Sequence, residues 1–140
     1  GQVDNYKPKD GVDYDYFTDT EGILEKYNPE HVDFNLPERL VELIENKDYG
    51  QYIDEDGYMH VCFTASNHTT GGNSGSPVIN GNGELIGLNF DRNWEGTMSD
   101  INYDINQCRN IAVDIRYVLF VVDKFAGAGH LVKEMKLVKN

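Results

Sequence analysis

The run Gly-Gly-Asn-Ser-Gly-Ser-Pro at residues 71–77 constrains this chain more than any other segment. A serine between asparagine and glycine predicts a tight turn that directs the Ser74 hydroxyl outward. In such a turn the backbone N–H groups of Gly72 and Ser74 converge, and they can stabilise the oxyanion of a tetrahedral intermediate. Glycine at position 72 allows close approach to a substrate, and Gly75 leaves room beside the serine. The alternative is an ordinary glycine-rich hairpin loop.

Apolar runs on both sides predict that this turn lies between strands. Residues 58–65 form a strand candidate before the turn, and residues 76–80 and 84–90 form two more, joined by Asn-Gly signals typical of a β-hairpin. An alternating run at residues 110–115 predicts a further strand. A phosphate-binding loop does not fit, because it needs a lysine after the glycines and a helix to follow.

Helices are predicted at the edges of the strand region. Residues 36–46 carry a proline in the first turn and helical apolar spacing, which predicts a helix of about ten residues. Residues 116–126 show the same spacing, and residues 130–135 resemble a shorter helix. Residues 1–28 have no period and are predicted to be a partly irregular lead-in, with a short extended piece within residues 30–36. The expected fold class is mainly β with flanking helices, ending in a C-terminal helix.

Composition excludes several classes of protein. The chain has 140 residues, a hydrophobic content of 39% and a net charge of −12, which suit one folded, acidic domain. Nucleic acid is not an expected partner, because phosphate binding needs a basic face. No stretch approaches about 18 consecutive apolar residues, so no membrane span is expected. The first residues are polar, so no signal peptide is expected within this sequence.

The cysteines and histidines show no metal-ligand spacing. Cys62 and Cys108 do not make a disulfide framework, and Cys62 alternates within a strand candidate, which favours a buried thiol over a bridge. Neither a CxxC nor an HExxH motif occurs. We therefore expect no metal and no other cofactor.

A serine nucleophile needs a base that accepts its proton and a carboxylate that orients the base. In two-barrel serine peptidases both come from the first barrel, and the 73 residues before Ser74 are too few for that barrel and the strands of the second. The histidines are His31, His60, His68 and His130. His68 is expected to fix its loop or lie at the surface, and His60 and His130 are expected to be structural, so the base is expected to lie outside this chain. The chain is therefore expected to be a C-terminal segment of a longer parent, inactive by itself.

Residues 29–138 resemble the C-terminal part of family 46 of the serine peptidases (clan PA), bacterial dipeptidyl peptidases. The resemblance is carried by residues 67–80, 87–96 and 108–117. It implies a chymotrypsin-like catalytic domain of two β-barrels, of which residues 29–140 are the second half, with a helical domain inserted elsewhere in the parent. It also implies release of dipeptides from free peptide N-termini in the bacterial periplasm or at the cell surface.

The same resemblance implies roles for individual residues. Ser74 becomes the nucleophile that forms an acyl-enzyme, with the Gly72 and Ser74 N–H groups as the oxyanion hole. An arginine at position 92 marks the Asp/Glu-specific members, whereas a glycine there marks members that prefer apolar residues. The physical argument agrees, because the strand after the serine hairpin lines the P1 pocket and a guanidinium offers a planar fork to a carboxylate.

An alternative for Arg92 is an exposed turn in which it pairs with Asp91 or Glu95. Asp91 is a candidate for holding the substrate's ammonium group, although neighbouring strand residues point to opposite faces. Phe90 and Trp94 either form walls of the pocket or pack in the core.

Two other functions stay open. A glutamate-specific endopeptidase half-domain would cleave blocked peptides as readily as free N-termini. A non-catalytic, protease-derived binding module would lack a His/Asp half in its parent. The expected partners are peptides with a free N-terminus and an acidic second residue, together with the first barrel and helical domain of the parent. Half of a two-barrel protein exposes an apolar interface, which favours rearrangement, domain swapping or a homodimer.

Overall fold

A computed structural model describes residues 1–138 of the protein, and these residues group into two compact units. The first unit combines residues 1–18 with residues 61–115. The second unit combines residues 19–60 with the chain from residue 116 onward. The predicted division of this chain into a lead-in of residues 1–28 and a barrel half of residues 29–140 stays a prediction.

The first unit is built mainly on an open antiparallel sheet. Within residues 1–138 the strands are β1 (Tyr6–Lys9), β2 (Val12–Tyr14), β3 (Phe17–Asp19), β4 (His60–Ala65), β5 (Pro77–Ile79), β6 (Leu85–Arg92) and β7 (Asn110–Asp114). The main sheet has the order β3-β4-β7-β6-β5, and β1 pairs with β2 in a separate ribbon. The four predicted strands correspond to β4, β5, β6 and β7, which confirms the mainly β class. No closed barrel forms within residues 1–138.

Small residues let the sheet pack tightly around one aromatic ring. Phe63 of β4 is buried, and Ala112 opposite it in β7 is completely buried. Gly87 of β6 has no room for a side chain, because an added Cβ would lie 2.7 Å from the Phe63 ring and 2.7 Å from the Val113 carbonyl oxygen. Glycine at position 87 therefore follows from close packing and fixes β6 against its neighbours.

The structure adds elements to the lead-in and corrects one prediction for the first 36 residues. The predicted lead-in of residues 1–28 contains β1, β2, β3 and a helix, which sequence periodicity missed because each strand has only three or four residues. The extended piece predicted within residues 30–36 is wrong. Successive turns occupy this stretch, and the Asn28 N–H donates to the Phe34 carbonyl at 2.9 Å.

Helices form the second unit around an aromatic core. They are α1 (Thr20–Lys26), α2 (Glu38–Glu45), α3 (Ile115–Phe120), which continues as a π-helical turn over Val121–Phe125, and α4 (Gly129–Val132). The predicted helices at residues 36–46, 116–126 and 130–135 are thus confirmed, with bounds that differ by one to three residues. The core residues are Leu40, Ile44, Tyr49, Tyr52, Met59 and Phe120. None of the helices in residues 1–138 combines the length and hydrophobicity that a membrane crossing requires.

His60 has a structural role in the second unit, as predicted. It is buried between two carboxylates, with Nδ1 3.3 Å from Asp54 and Nε2 2.8 Å from Asp56. Arg116 also pairs with Asp54. Burial raises the pKa of Asp54, but the hydrogen bonds from Arg116 and the Glu55 N–H outweigh it and hold that pKa below its usual value. The side chains of Asp54, Asp56 and His60 have the spacing of metal ligands. Arg116, however, already pairs with the Asp54 carboxylate.

Candidate active site

Ser74 lies in the loop between β4 and β5, and two glycines in the left-handed region shape this loop. Gly72 has a φ of +98° and Gly75 a φ of +83°. A residue with a Cβ adopts such angles only with strain. No atom lies within 4 Å of an added Cβ at either position. Backbone conformation, rather than lack of space among the described residues, therefore requires glycine at both positions.

The Ser74 hydroxyl is exposed and donates a hydrogen bond to the Phe90 carbonyl oxygen at 3.2 Å. Phe90 can accept it because β6 has a bulge here. Asn89 and Asp91, on either side of Phe90, pair with adjacent residues of β7, which leaves Phe90 without a partner in the register. Among residues 1–138 no imidazole bonds to the Ser74 hydroxyl.

Two backbone N–H groups beside this hydroxyl are unused. The N–H groups of Gly72 and Ser74 donate to no acceptor within the described part of the chain, whereas the Gly75 N–H donates to the Asn89 carbonyl at 2.7 Å. In an exposed loop, the two unpaired donors are available to a ligand oxygen. This arrangement has the donors that an oxyanion hole requires.

Asn89 of β6 holds the loop onto the sheet through its backbone and its side chain. Its N–H donates to the Ser76 carbonyl at 2.9 Å, and its carbonyl accepts the Gly75 N–H. Its side-chain Nδ2 donates to the Asn73 carbonyl at 3.2 Å. The Asn110 Nδ2 donates in turn to the Asn89 Oδ1 at 2.9 Å, and both asparagines are buried. The sequence analysis missed this pair, whose signal is two asparagines in otherwise apolar strands.

Replacing Asn89 by alanine is expected to destabilise the protein by about 2–4 kcal/mol, because it removes two side-chain hydrogen bonds and leaves the buried Asn110 amide without a partner. The backbone bonds of residue 89 survive, so the loop loosens without unfolding and turnover falls more than substrate affinity. Urea unfolding and steady-state kinetics of the full-length protein measure both effects. Asn82→Ala, in the exposed β5–β6 turn, is the matched control. Wild-type stability in Asn89→Ala would contradict the account.

Arg92, at the end of β6, makes a two-point ion pair. Its Nη1 and Nη2 donate to the two carboxylate oxygens of Asp100 at 2.9 and 2.7 Å, and Nη1 also donates to the Ser99 hydroxyl at 2.8 Å. This hydrogen bonding raises the pKa of Arg92 and lowers the pKa of Asp100. The alternative that paired Arg92 with Asp91 or Glu95 is therefore wrong about the partner. Among the described residues, Asp91 accepts only the backbone N–H of Arg92, at 2.8 Å.

The other candidates for substrate contact lie at the surface of the described residues. Phe90 is 46% exposed and Trp94 is 84% exposed, so core packing does not explain either side chain. Asp91 is exposed as well. All three are accessible to a ligand or to a further part of the protein.

His68 fixes its loop, as expected from the sequence. Its Nε2 lies 3.1 Å from the Ser99 carbonyl oxygen, and its ring lies 4.8 Å from that of Tyr103.

The cysteines are free thiols, with Cys108 buried and Cys62 half-buried. Burial raises the pKa of the Cys62 thiol, which is the behaviour of an unreactive structural cysteine.

Comparisons with known proteins identify the family of this chain. The Peptidase S46 family model matches residues 1–137. The chain is 60% identical to the Asp/Glu-specific dipeptidyl-peptidase of Capnocytophaga gingivalis, a match that covers 99% of this chain and 20% of that protein. It is 55% identical to dipeptidyl-peptidase 7 of Phocaeicola vulgatus, with 99% and 19% covered.

A solved structure shares the fold. The crystal structure of Porphyromonas endodontalis DPP11 in complex with the dipeptide Arg-Glu matches with a TM-score of 0.93 and 51% identity, over 96% of this chain and 19% of that chain. The chain thus spans about a fifth of the length of the curated relatives it matches. Since the family model covers nearly every residue, the chain belongs to the peptidase S46 family.

Proposed function

We propose that this chain supplies the nucleophile and the P1 selector of a serine exopeptidase, which releases N-terminal dipeptides with Asp or Glu at P1. The observation that carries the proposal is the bond from the exposed Ser74 hydroxyl to the Phe90 carbonyl. It brings the hydroxyl to a bulge only two residues from Arg92 along β6. The 60% identity to an Asp/Glu-specific dipeptidyl-peptidase supports the same substrate class.

The proposed chemistry is acyl transfer in two steps. The Ser74 oxygen attacks the scissile carbonyl carbon, and its proton passes to a base supplied by a part of the full-length protein outside this chain. The unpaired N–H groups of Gly72 and Ser74 stabilise the oxyanion. Collapse of the tetrahedral intermediate expels the protonated amine of the leaving peptide and leaves the dipeptide as an ester on Ser74. Water then hydrolyses the ester and regenerates the hydroxyl.

Selection at P1 is assigned to Arg92. Its guanidinium is permanently charged, and its side chain is 24% exposed, so a carboxylate that reaches it is partly withdrawn from water. Charge-assisted, two-point hydrogen bonds to a carboxylate are among the strongest in proteins. A neutral P1 side chain would leave the guanidinium donors of this pocket unpaired.

Recognition of the free N-terminus is assigned to Asp91. Its exposed carboxylate accepts one hydrogen bond, from the Arg92 N–H at 2.8 Å, and keeps acceptor capacity for an ammonium group. Phe90 beside it offers an apolar wall.

We further propose a chymotrypsin-like, two-barrel catalytic domain for the full-length protein and a location in the bacterial periplasm or at the cell surface. Both rest on the family resemblance, and cell fractionation tests the location.

Fluorogenic dipeptides test the proposed function in the full-length protein. We expect cleavage of substrates with a free N-terminus and Asp or Glu at P1. Acetylation of the N-terminus should lower kcat/KM by about 10–100-fold, because it removes the ammonium charge that Asp91 would bind through a charge-assisted hydrogen bond. Equal cleavage of acetylated substrates would indicate an endopeptidase. A folded protein that binds these peptides but cleaves none would be a binding module.

A further inference from the structure

The Arg92 guanidinium is already half occupied. An arginine side chain has five N–H donors in one plane. Three of them are used, two toward Asp100 and one toward the Ser99 hydroxyl. The Nε–H and the second Nη2–H donate to no acceptor within residues 1–138. These two donors lie on one edge of the planar group and form a second fork that fits a carboxylate.

Asp100 is the last residue of a 3-10 helix, Trp94–Asp100, which is fixed from several sides. Ser99 is buried, and the His68 Nε2 lies 3.1 Å from its carbonyl oxygen. His68 stacks on Tyr103, and the Tyr103 hydroxyl donates to the Ser66 carbonyl at 2.6 Å. Asp100 therefore lies at the end of a 3-10 helix with its own supports, and the Arg92 guanidinium is hydrogen-bonded to this end of the helix.

We propose that Asp100, supported by Ser99, is a positioning residue that holds one fork of Arg92 and so presents the Nε and Nη2 fork to the P1 carboxylate. This inference rests on the proposed function. On this proposal, the position of the 3-10 helix that ends at Asp100 sets the distance from Arg92 to the nucleophile. Asp100 is then a determinant of the length of acidic side chain that fits between them.

Electrostatics adds a second consequence. Asp100 balances the charge of Arg92, and the same hydrogen bonds that lower the pKa of Asp100 keep it ionised down to acidic pH. Attraction by net charge alone therefore contributes little at P1. The substrate carboxylate has to gain its binding energy from the geometry of the open fork, which favours a carboxylate over other polar groups. If Asp100 merely competed with the substrate carboxylate for Arg92, its removal would speed the cleavage of acidic substrates instead of slowing it.

Variants at position 100 of the full-length protein separate these cases. We expect Asp100→Ala to lower kcat/KM for acidic P1 substrates about 10–100-fold, mainly through KM, because one held edge of the guanidinium is lost. Asp100→Glu lengthens the side chain that holds Arg92 by one methylene group, and so moves the guanidinium away from residue 100 and toward the substrate. It should restore most of the cleavage and shift the Asp-to-Glu preference toward the shorter Asp. A purely structural role would not move this ratio.

The matched control is Asp10→Ala, which makes the same change in net charge at an exposed position. It should leave both rates and their ratio at the wild-type values, and Asp100→Asn gives a second, isosteric variant. Faster acidic cleavage in Asp100→Ala would identify Asp100 as a competitor and overturn the inference. Unchanged kinetics in Asp100→Ala, together with loss of acidic cleavage in Arg92→Gly, would overturn the inference but leave the proposed function intact.

Discussion

Replacing Ser74 by alanine in the full-length protein is expected to abolish peptidase turnover. The alanine has no oxygen to form the acyl-enzyme, and loss of a catalytic serine lowers kcat by about four to six orders of magnitude. Binding of acidic dipeptides should persist, because Arg92 and Asp91 are unchanged. Steady-state kinetics measures the first effect, and calorimetric titration with a dipeptide product measures the second.

The control for this experiment lies two residues away. Ser76 is in the same loop, and its backbone, not its hydroxyl, bonds to Asn89. Ser76→Ala should therefore retain turnover within a few-fold, about 1 kcal/mol in activation free energy. Wild-type turnover in Ser74→Ala would exclude Ser74 as the nucleophile.

Replacing Arg92 by glycine is expected to remove cleavage after Asp and Glu selectively. Without the guanidinium, a P1 carboxylate enters a partly buried pocket unpaired, at a cost of roughly 3–5 kcal/mol, or about two to three decades in kcat/KM. Cleavage of substrates with an apolar P1 residue should be retained or improved. Rates for a matched series with Asp, Glu and Leu at P1 give the measurement.

Two further variants make this test specific. Arg92→Lys keeps the charge but not the planar fork, so it should fall between wild type and Arg92→Gly. Arg92→Gly also leaves Asp100 without its partner, and combining it with Asp100→Asn removes that unpaired charge. If Arg92→Gly still cleaves Asp substrates at the wild-type rate, Arg92 is not the selector.

Local patterns predicted much of the first unit's fold. Strands β4 to β7 could be predicted because their apolar runs are bounded by glycine and asparagine turns. The turn around Ser74 followed from its glycines. Strands β1 to β3 could not be predicted, since three or four residues are too few for a period to appear. The open sheet was not predicted either, because sheet closure depends on strands that pair from outside a local window.

The features of the site that sequence analysis missed depend on pairing between distant residues. The bulge at Phe90 exists only as an offset between β6 and β7, so no property of residues 85–92 alone reveals it. The partner of Arg92 is eight residues away, beyond the sequence neighbours Asp91 and Glu95 that were considered. Asn89 and Asn110 lie on different strands and meet only in the sheet.

Covalent labelling tests most directly whether Ser74 is the attacking group. The reagent is a dipeptidyl diphenyl phosphonate with a free N-terminus and a glutamate side chain at P1. The Ser74 oxygen should attack its phosphorus and displace phenoxide, which inactivates the full-length protein. Mass spectrometry is expected to locate the adduct on the peptide that contains residues 71–77, at Ser74, with none formed in Ser74→Ala. An adduct on any other residue, or inactivation of Ser74→Ala at the wild-type rate, would contradict the account.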